Sequence, residues 1–164
     1  RESDSMDILF VGKGGDCRPL LAAAILNHLA PCHCKARRVA CDRDEPPSPA
    51  ALALLERQGI RCGEDTATVM CGKSPPGDVV ISLCSMHAHH ACPHHGDAPL
   101  HVRWTVHDPL RRHLFARRAD GELLDVYHIL RARIERLLPL LQRGSALDRA
   151  HLESELHRLG RFLP

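Results

Sequence analysis

Short apolar runs alternate with longer stretches of helical period along this chain. Ile8–Val11 is an unbroken apolar run closed by glycine, the pattern of a parallel strand buried on both faces. Beyond it Leu20, Leu21, Ala24, Ile25, His28 and Leu29 fall at helical spacing. Pro19 suits the first turn of that helix, where its missing N–H costs no bond, and Pro31 closes the segment. Arg37–Cys41 reads as a second strand. DEPPSP is a linker or turn, and Ser48 then caps a helix running to about Arg57 and ended by Gly59. Residues 60–77 are ambiguous, with a short helix expected around Asp65–Cys71. Asp78–Cys84, DVVISLC, is the clearest central strand, and Leu100–Trp104 gives a fourth. From Glu122 the residues Leu123, Val126, Tyr127, Leu130, Ile134, Leu137 and Leu141 form a long amphipathic stripe, perturbed near Pro139. A further helical stretch runs from Ala146 to about Leu159, after Gly144.

Alternating strands and helices imply an α/β fold with a mostly parallel sheet. There is no internal repeat, and 164 residues suit one domain. Aromatics are only 3% of the chain, so the core must rest on Leu, Ala, Val and Ile. No apolar run approaches the roughly 20 residues of a membrane span, and no signal-peptide pattern opens the chain. The expected compartment is therefore cytoplasmic, with no membrane as partner. Residues 1–5, RESDS, precede a candidate initiator, Met6, and read as an expression remnant. A formal charge of +2 is too small to argue for nucleic acid. The arginines between Arg103 and Arg143 read as a solvated helix face, and few aromatics are available for base stacking. No nucleic-acid partner is expected.

The loop between the first strand and its helix carries the first candidate chemistry. Gly12, Lys13, Gly14, Gly15, Asp16, Cys17 and Arg18 lie at a helix N-terminus, where backbone N–H groups can form an anion nest. Arg18 can grip two oxygens of a tetrahedral anion through its planar fork. Gly14 and Gly15 allow the unusual dihedrals such a ring demands. Lys13 lacks the context of a Walker phosphate loop.

ILFVGKGGDCRP, the Asp108-Pro109 pair after Trp104, and DVVISLCSMHAHHACP together resemble the low-molecular-weight protein tyrosine phosphatases and the related thioredoxin-coupled arsenate reductases. The likeness covers about residues 6–142, with 143–164 as a C-terminal helical extension. It implies a four-stranded parallel sheet of order 2-1-3-4 flanked by helices. It also implies a Cys-x5-Arg-Ser/Thr loop after the first strand and a late Asp as general acid. On this chain the nucleophile's position falls on Gly12, and the hydroxyl residue after the Arg falls on Pro19. Cys17, Arg18 and Asp108 keep the positions of catalytic residues, as relict or weak ones. Asp16 adds a negative charge beside the cradle, which weakens oxyanion binding. Cys17 could substitute as a thiolate if the helix N-terminus and Arg18 lowered its pKa.

Eight cysteines and thirteen histidines are many for this length, and in a reducing compartment they read as metal ligands, redox thiols or fillers. CSMHAHHACPHHG holds Cys84, His87, His89, His90, Cys92, His94 and His95, a donor set suited to Zn or another transition metal. The spacing matches no zinc-finger pattern. The resemblance implies a redox pair at Cys84 and Cys92, although that relay would begin at position 12. Cys32, His33, Cys34 and Cys41 form another possible chelating group, while Cys62 and Cys71 are expected to pack or sit free. His107 and His113 flank Asp108.

Three functions stand open on these residues. The first is a catalytically impaired phosphatase-like domain that senses or adapts by binding an oxyanion, a metal or a protein partner. The second is a divergent thiol-dependent arsenate reductase or phosphatase using Cys17, Cys84 or Cys92. The third is a Cys/His-rich metal-binding protein. Leu147, Leu152, Leu156 and Leu159 are expected to pack on the domain or on a second copy, as a homodimer.

Overall fold

The computed structural model describes residues 6–30, 34–41, 43, 45–62, 69–70, 77–83, 100–109, 116–142 and 149–164. Its strands are β1 (Met6–Gly12), β2 (Cys34–Ala40), β3 (Val69–Met70), β4 (Val79–Ser82) and β5 (Leu100–Arg103). Its helices are α1 (Cys17–Leu29), α2 (Pro49–Arg57), α3 (Ala116–Gln142) and α4 (Arg149–Leu159). The sheet order is β3-β2-β1-β4-β5, with every pairing parallel. The four longer strands thus follow the expected order 2-1-3-4. The two residues of β3 add a fifth strand at the outer edge of β2.

That edge strand corrects the helix expected over 65–71. Val69 pairs with Val39 and Met70 with Ala40, so these two residues are extended. β-branched Val69 fits a pleated edge better than a helix. The other residues of that stretch lie outside the described residues.

Alternation along β1 divides the core. Ile8 and Phe10 join a large cluster that takes in buried apolar residues from all four helices, while Leu9 and Val11 join Val39 and Val80 on the opposite face. Helix α1 is buried almost all round: Ala22, Ala23 and Leu26, outside the expected stripe, are as covered as Leu21 and Ile25. It is enclosed by β2, α2 and α3, which is why its sequence is apolar on every side. Ser48 caps α2 and Gly59 takes a left-handed φ of +74° after it, as the punctuation indicates.

Helix α3 begins before the stripe and continues through Pro139. Buried Leu137 and Leu141 on either side hold it against the core, so packing outweighs the lost hydrogen bond. Helix α4 packs on this same domain through buried Leu152, Leu156 and Leu159. Trp104 Nε1 donates to the Leu156 carbonyl at 3.1 Å, and the Thr105 N–H to the Gly160 carbonyl at 3.0 Å. No helix among the described residues is long and apolar enough to cross a membrane.

Candidate functional site

In a parallel sheet all strands deliver the chain to one edge, and sites gather outside their carboxyl ends. Here β1 ends at Gly12 and opens the glycine loop, while β5 ends at Arg103 and leads through Trp104 to Asp108. The residues expected to act together, Arg18 and Asp108, are brought to one place by that geometry.

The loop is a tight turn followed by a capped helix. The Asp16 N–H donates to the Lys13 carbonyl at 3.0 Å, and Gly15 has a φ of +85°, which suits the third position of a type II turn. Gly14 answers a different need: an added Cβ would lie 2.3 Å from the Arg43 carbonyl oxygen. Asp16 is the N-cap of α1, accepting from the Arg18 N–H at 3.0 Å. Two amides expected to line an anion nest are therefore spent inside the loop.

Arg18 is spent as well. It is 3% exposed, and its fork faces a carboxylate of its own chain. Nε donates to Asp16 Oδ1 at 2.8 Å and Nη2 to Asp16 Oδ2 at 2.5 Å, while Nη1 donates to the Val106 carbonyl at 2.6 Å. Asp16 and Arg18 form an ion pair with side chains 5% and 4% exposed. Burial works against the guanidinium's charge, but the hydrogen bonds and charge of Asp16 outweigh it and raise the Arg18 pKa. The crevice beside the loop is lined by Lys13, Gly14, Gly15, Asp16, Pro19 and, across from them, Glu45, and Arg18 does not line it.

Position 12 is closed by packing as well as by composition. A Cβ on Gly12 would lie 2.6 Å from Pro19 Cγ and 3.3 Å from Asp16 Oδ2. The proline ring is fixed in the first turn of α1 and cannot swing away. Gly12 and Pro19, the two departures from the resembled loop, are thus one steric arrangement.

The surroundings of Cys17 work against a thiolate. It is 2% exposed and packed into the main core cluster. Burial first, then the charges of Asp16 and Asp108, push its pKa far above the ordinary thiol range, and Arg18 only partly opposes them. With Arg18 neutralised by Asp16, the nearby charges favour the proton staying on sulfur.

Asp16, Cys17 and Asp108 place ligand atoms within 4.8 Å of one another, a grouping the sequence reading did not single out as metal-binding. Both Asp16 oxygens already accept from Arg18, so a cation there would compete with the guanidinium for the carboxylate. Cys34 and Cys41 stand at opposite ends of β2, about 23 Å apart at strand rise, and cannot share one ion. Cys34 is buried, which raises its pKa, and Cys62 is exposed. Cys32, His33, Cys71 and His113 lie outside the described residues, as do Cys84, His87, His89, His90, Cys92, His94 and His95.

Three features of the site were missed in the sequence: Asp16 as partner of Arg18, the Val106 carbonyl, and Pro19 as the filler of position 12. Only the first left a signal. An Asp directly before a helix is a favoured N-cap, and its carboxylate must then lie at the helix N-terminus.

Comparison with known proteins agrees with this architecture. A thioredoxin-dependent arsenate reductase from Corynebacterium glutamicum matches with a TM-score of 0.61 at 18% identity, over 85% of this chain. This chain spans only 63% of that protein's length. An arsenate reductase from Archaeoglobus fulgidus DSM 4304 matches with a TM-score of 0.62 at 22% identity, over 80% of this chain and 98% of its own. The YwlE arginine phosphatase from Geobacillus stearothermophilus matches at 0.64 and 20% identity, over 86% and 96% respectively. At such identities the likeness establishes the fold. No match is found among curated protein sequences. The family profile described as low molecular weight phosphotyrosine protein phosphatase matches residues 7–150. The chain with the glycine at position 12 and the self-paired Arg18 therefore belongs to the low molecular weight phosphotyrosine protein phosphatase family.

Proposed function

We propose that this domain does not perform the covalent oxyanion chemistry associated with its frame and serves instead as a non-catalytic binding domain, a sensor or adaptor. One observation carries the reading: the Cβ of any nucleophile at position 12 would lie 2.6 Å from Pro19 Cγ. Glycine supplies no attacking atom, and substitution alone does not make room for one. The rival reading, an enzyme using Cys17, is disfavoured by the burial and raised pKa of that thiol.

The test is turnover by the unaltered chain. Para-nitrophenyl phosphate hydrolysis and thiol-coupled arsenate reduction are both expected at the no-protein background. A rate that disappears in Cys17→Ser, Cys84→Ser or Cys92→Ser would overturn the reading in favour of a divergent thiol enzyme.

A metal-binding role is favoured by a separate observation, the two Cys and five His between Cys84 and His95. Those donors suit Zn or a related transition metal. Elemental analysis of untagged protein is expected to find near-stoichiometric metal that is lost on replacing Cys84 and Cys92. Metal-free protein with only weak affinity would remove that role.

A further inference from the structure

We infer that Asp16 is the resident ligand of the anion cradle: its carboxylate fills the place of a phosphate-class oxyanion and keeps external ones out. This deepens the non-catalytic reading above, since it says what the retained cradle holds.

The inference rests on how completely one side chain satisfies the site. A tetrahedral oxyanion in such a loop would take the Arg18 fork and an amide of the first helical turn. Asp16 takes all of these. Oδ1 accepts from the Arg18 N–H and from Nε, and Oδ2 accepts from Nη2. The remaining guanidinium contact, Nη1 to Val106, fixes the fork from the other side. Both side chains of the pair are more than nine-tenths buried, so the fork is covered from solvent while Asp16 holds it.

An ordinary capping aspartate would need only the Arg18 amide. Asp16 instead turns its second oxygen into the guanidinium, two residues along the chain. Being tethered there, it competes with any free anion as an intramolecular ligand, at high effective concentration. The cradle is thus built, charged and occupied. Loss of the carboxylate converts it into an open site for phosphate, arsenate or sulfate.

Asp16→Ser is the informative variant, because serine retains an N-cap acceptor while leaving the fork unpaired. Thermal unfolding is followed in inorganic phosphate against sodium chloride of equal ionic strength. The unaltered protein is expected to shift by under about 1 °C, and Asp16→Ser to rise by roughly 3–8 °C at a thirtyfold excess over its Kd. Titration calorimetry should give one phosphate per Asp16→Ser chain and none for the unaltered protein. Asp16→Ala serves if the serine variant does not fold, phosphate then being expected to restore a cooperative transition. Equal phosphate shifts in both proteins would overturn the inference, as would a variant indifferent to phosphate. These outcomes are independent of turnover: phosphatase activity in the unaltered chain sinks the non-catalytic reading, whereas the phosphate response alone decides the occupant of the cradle.

Discussion

Arg18 and Arg133 are both buried cations held against adjacent carbonyls of one segment, yet they solve the charge problem in opposite ways. Arg18 donates to Val106 and Arg133 donates through Nη2 to Thr105 at 2.8 Å. Arg18 has a carboxylate in its fork, and its pKa is raised. Arg133, 1% exposed, donates a further bond from Nε to the Phe162 carbonyl at 2.9 Å and lies 5.8 Å from the Trp104 ring centroid. Burial pushes its pKa down to about 10, and among the described residues its Nη1 has no hydrogen-bond partner. Arg133 fastens the C-terminal segment to the end of β5 with carbonyls and a ring. Arg18 belongs to a charge pair. Removing one half of a buried pair strands the other, whereas replacing a lone buried cation relieves a desolvation cost as it loses its bonds.

The largest expected effect follows directly. Arg18→Met should cost about 3–5 kcal/mol, because Asp16 is left buried and charged. Arg133→Met, of similar volume, should stay within about 1.5 kcal/mol of the parent, since lost bonds and relieved desolvation offset each other. Urea unfolding of both variants checks this, and equal losses would break the distinction.

Next in size is the steric lock beside Arg18. Gly12→Cys should lose about 1–3 kcal/mol through overpacking against Pro19, with recovery of most of that loss in the double variant Gly12→Cys/Pro19→Ala. No recovery would mean that Pro19 is not what closes position 12. The pair also bears on chemistry: the single variant is expected to remain without phosphatase turnover.

A smaller effect separates two thiols. At pH 8, iodoacetamide should label exposed Cys62 more than tenfold faster than Cys17, whose burial and neighbouring carboxylates keep it protonated. Peptide-resolved mass spectrometry reads the ratio, and comparable labelling would restore Cys17 as a candidate nucleophile.

The smallest is at His101, whose Nε2 lies 2.8 Å from Ser82 Oγ. Partial burial lowers its pKa in the folded state. The unfolded chain, with an ordinary value near 6.5, then binds the proton more readily, so stability falls as pH drops through and below about 6.5. The urea midpoint should decline less between pH 7.5 and 5 in His101→Gln than in the parent. An identical decline would remove His101 as a contributor.

How much of this was legible beforehand varies with how local the cause is. Ser48, Gly59 and the short unbroken apolar runs at β1 and β4 act over a few residues, and the elements they imply are present. Val69–Met70 was misread because two residues carry no period, and their strand character comes from pairing with β2. The setting of Cys17 is not legible locally, because it depends on burial and on Asp108, ninety-one positions away in sequence, as well as on neighbouring Asp16 and Arg18.

What the sequence by itself determined is the α/β alternation, the glycine turn at a helix N-terminus and the missing side chain at position 12. Periodicity, turn chemistry and residue identity are local properties, readable without knowing what lies across the fold. What only the tertiary structure decided is where the charges meet: Asp16 in the Arg18 fork, Val106 closing it, Pro19 against position 12, and Cys17 sealed in the core. Those depend on distances and burial set when distant segments converge, because electrostatic and packing energies follow separation in space rather than along the chain.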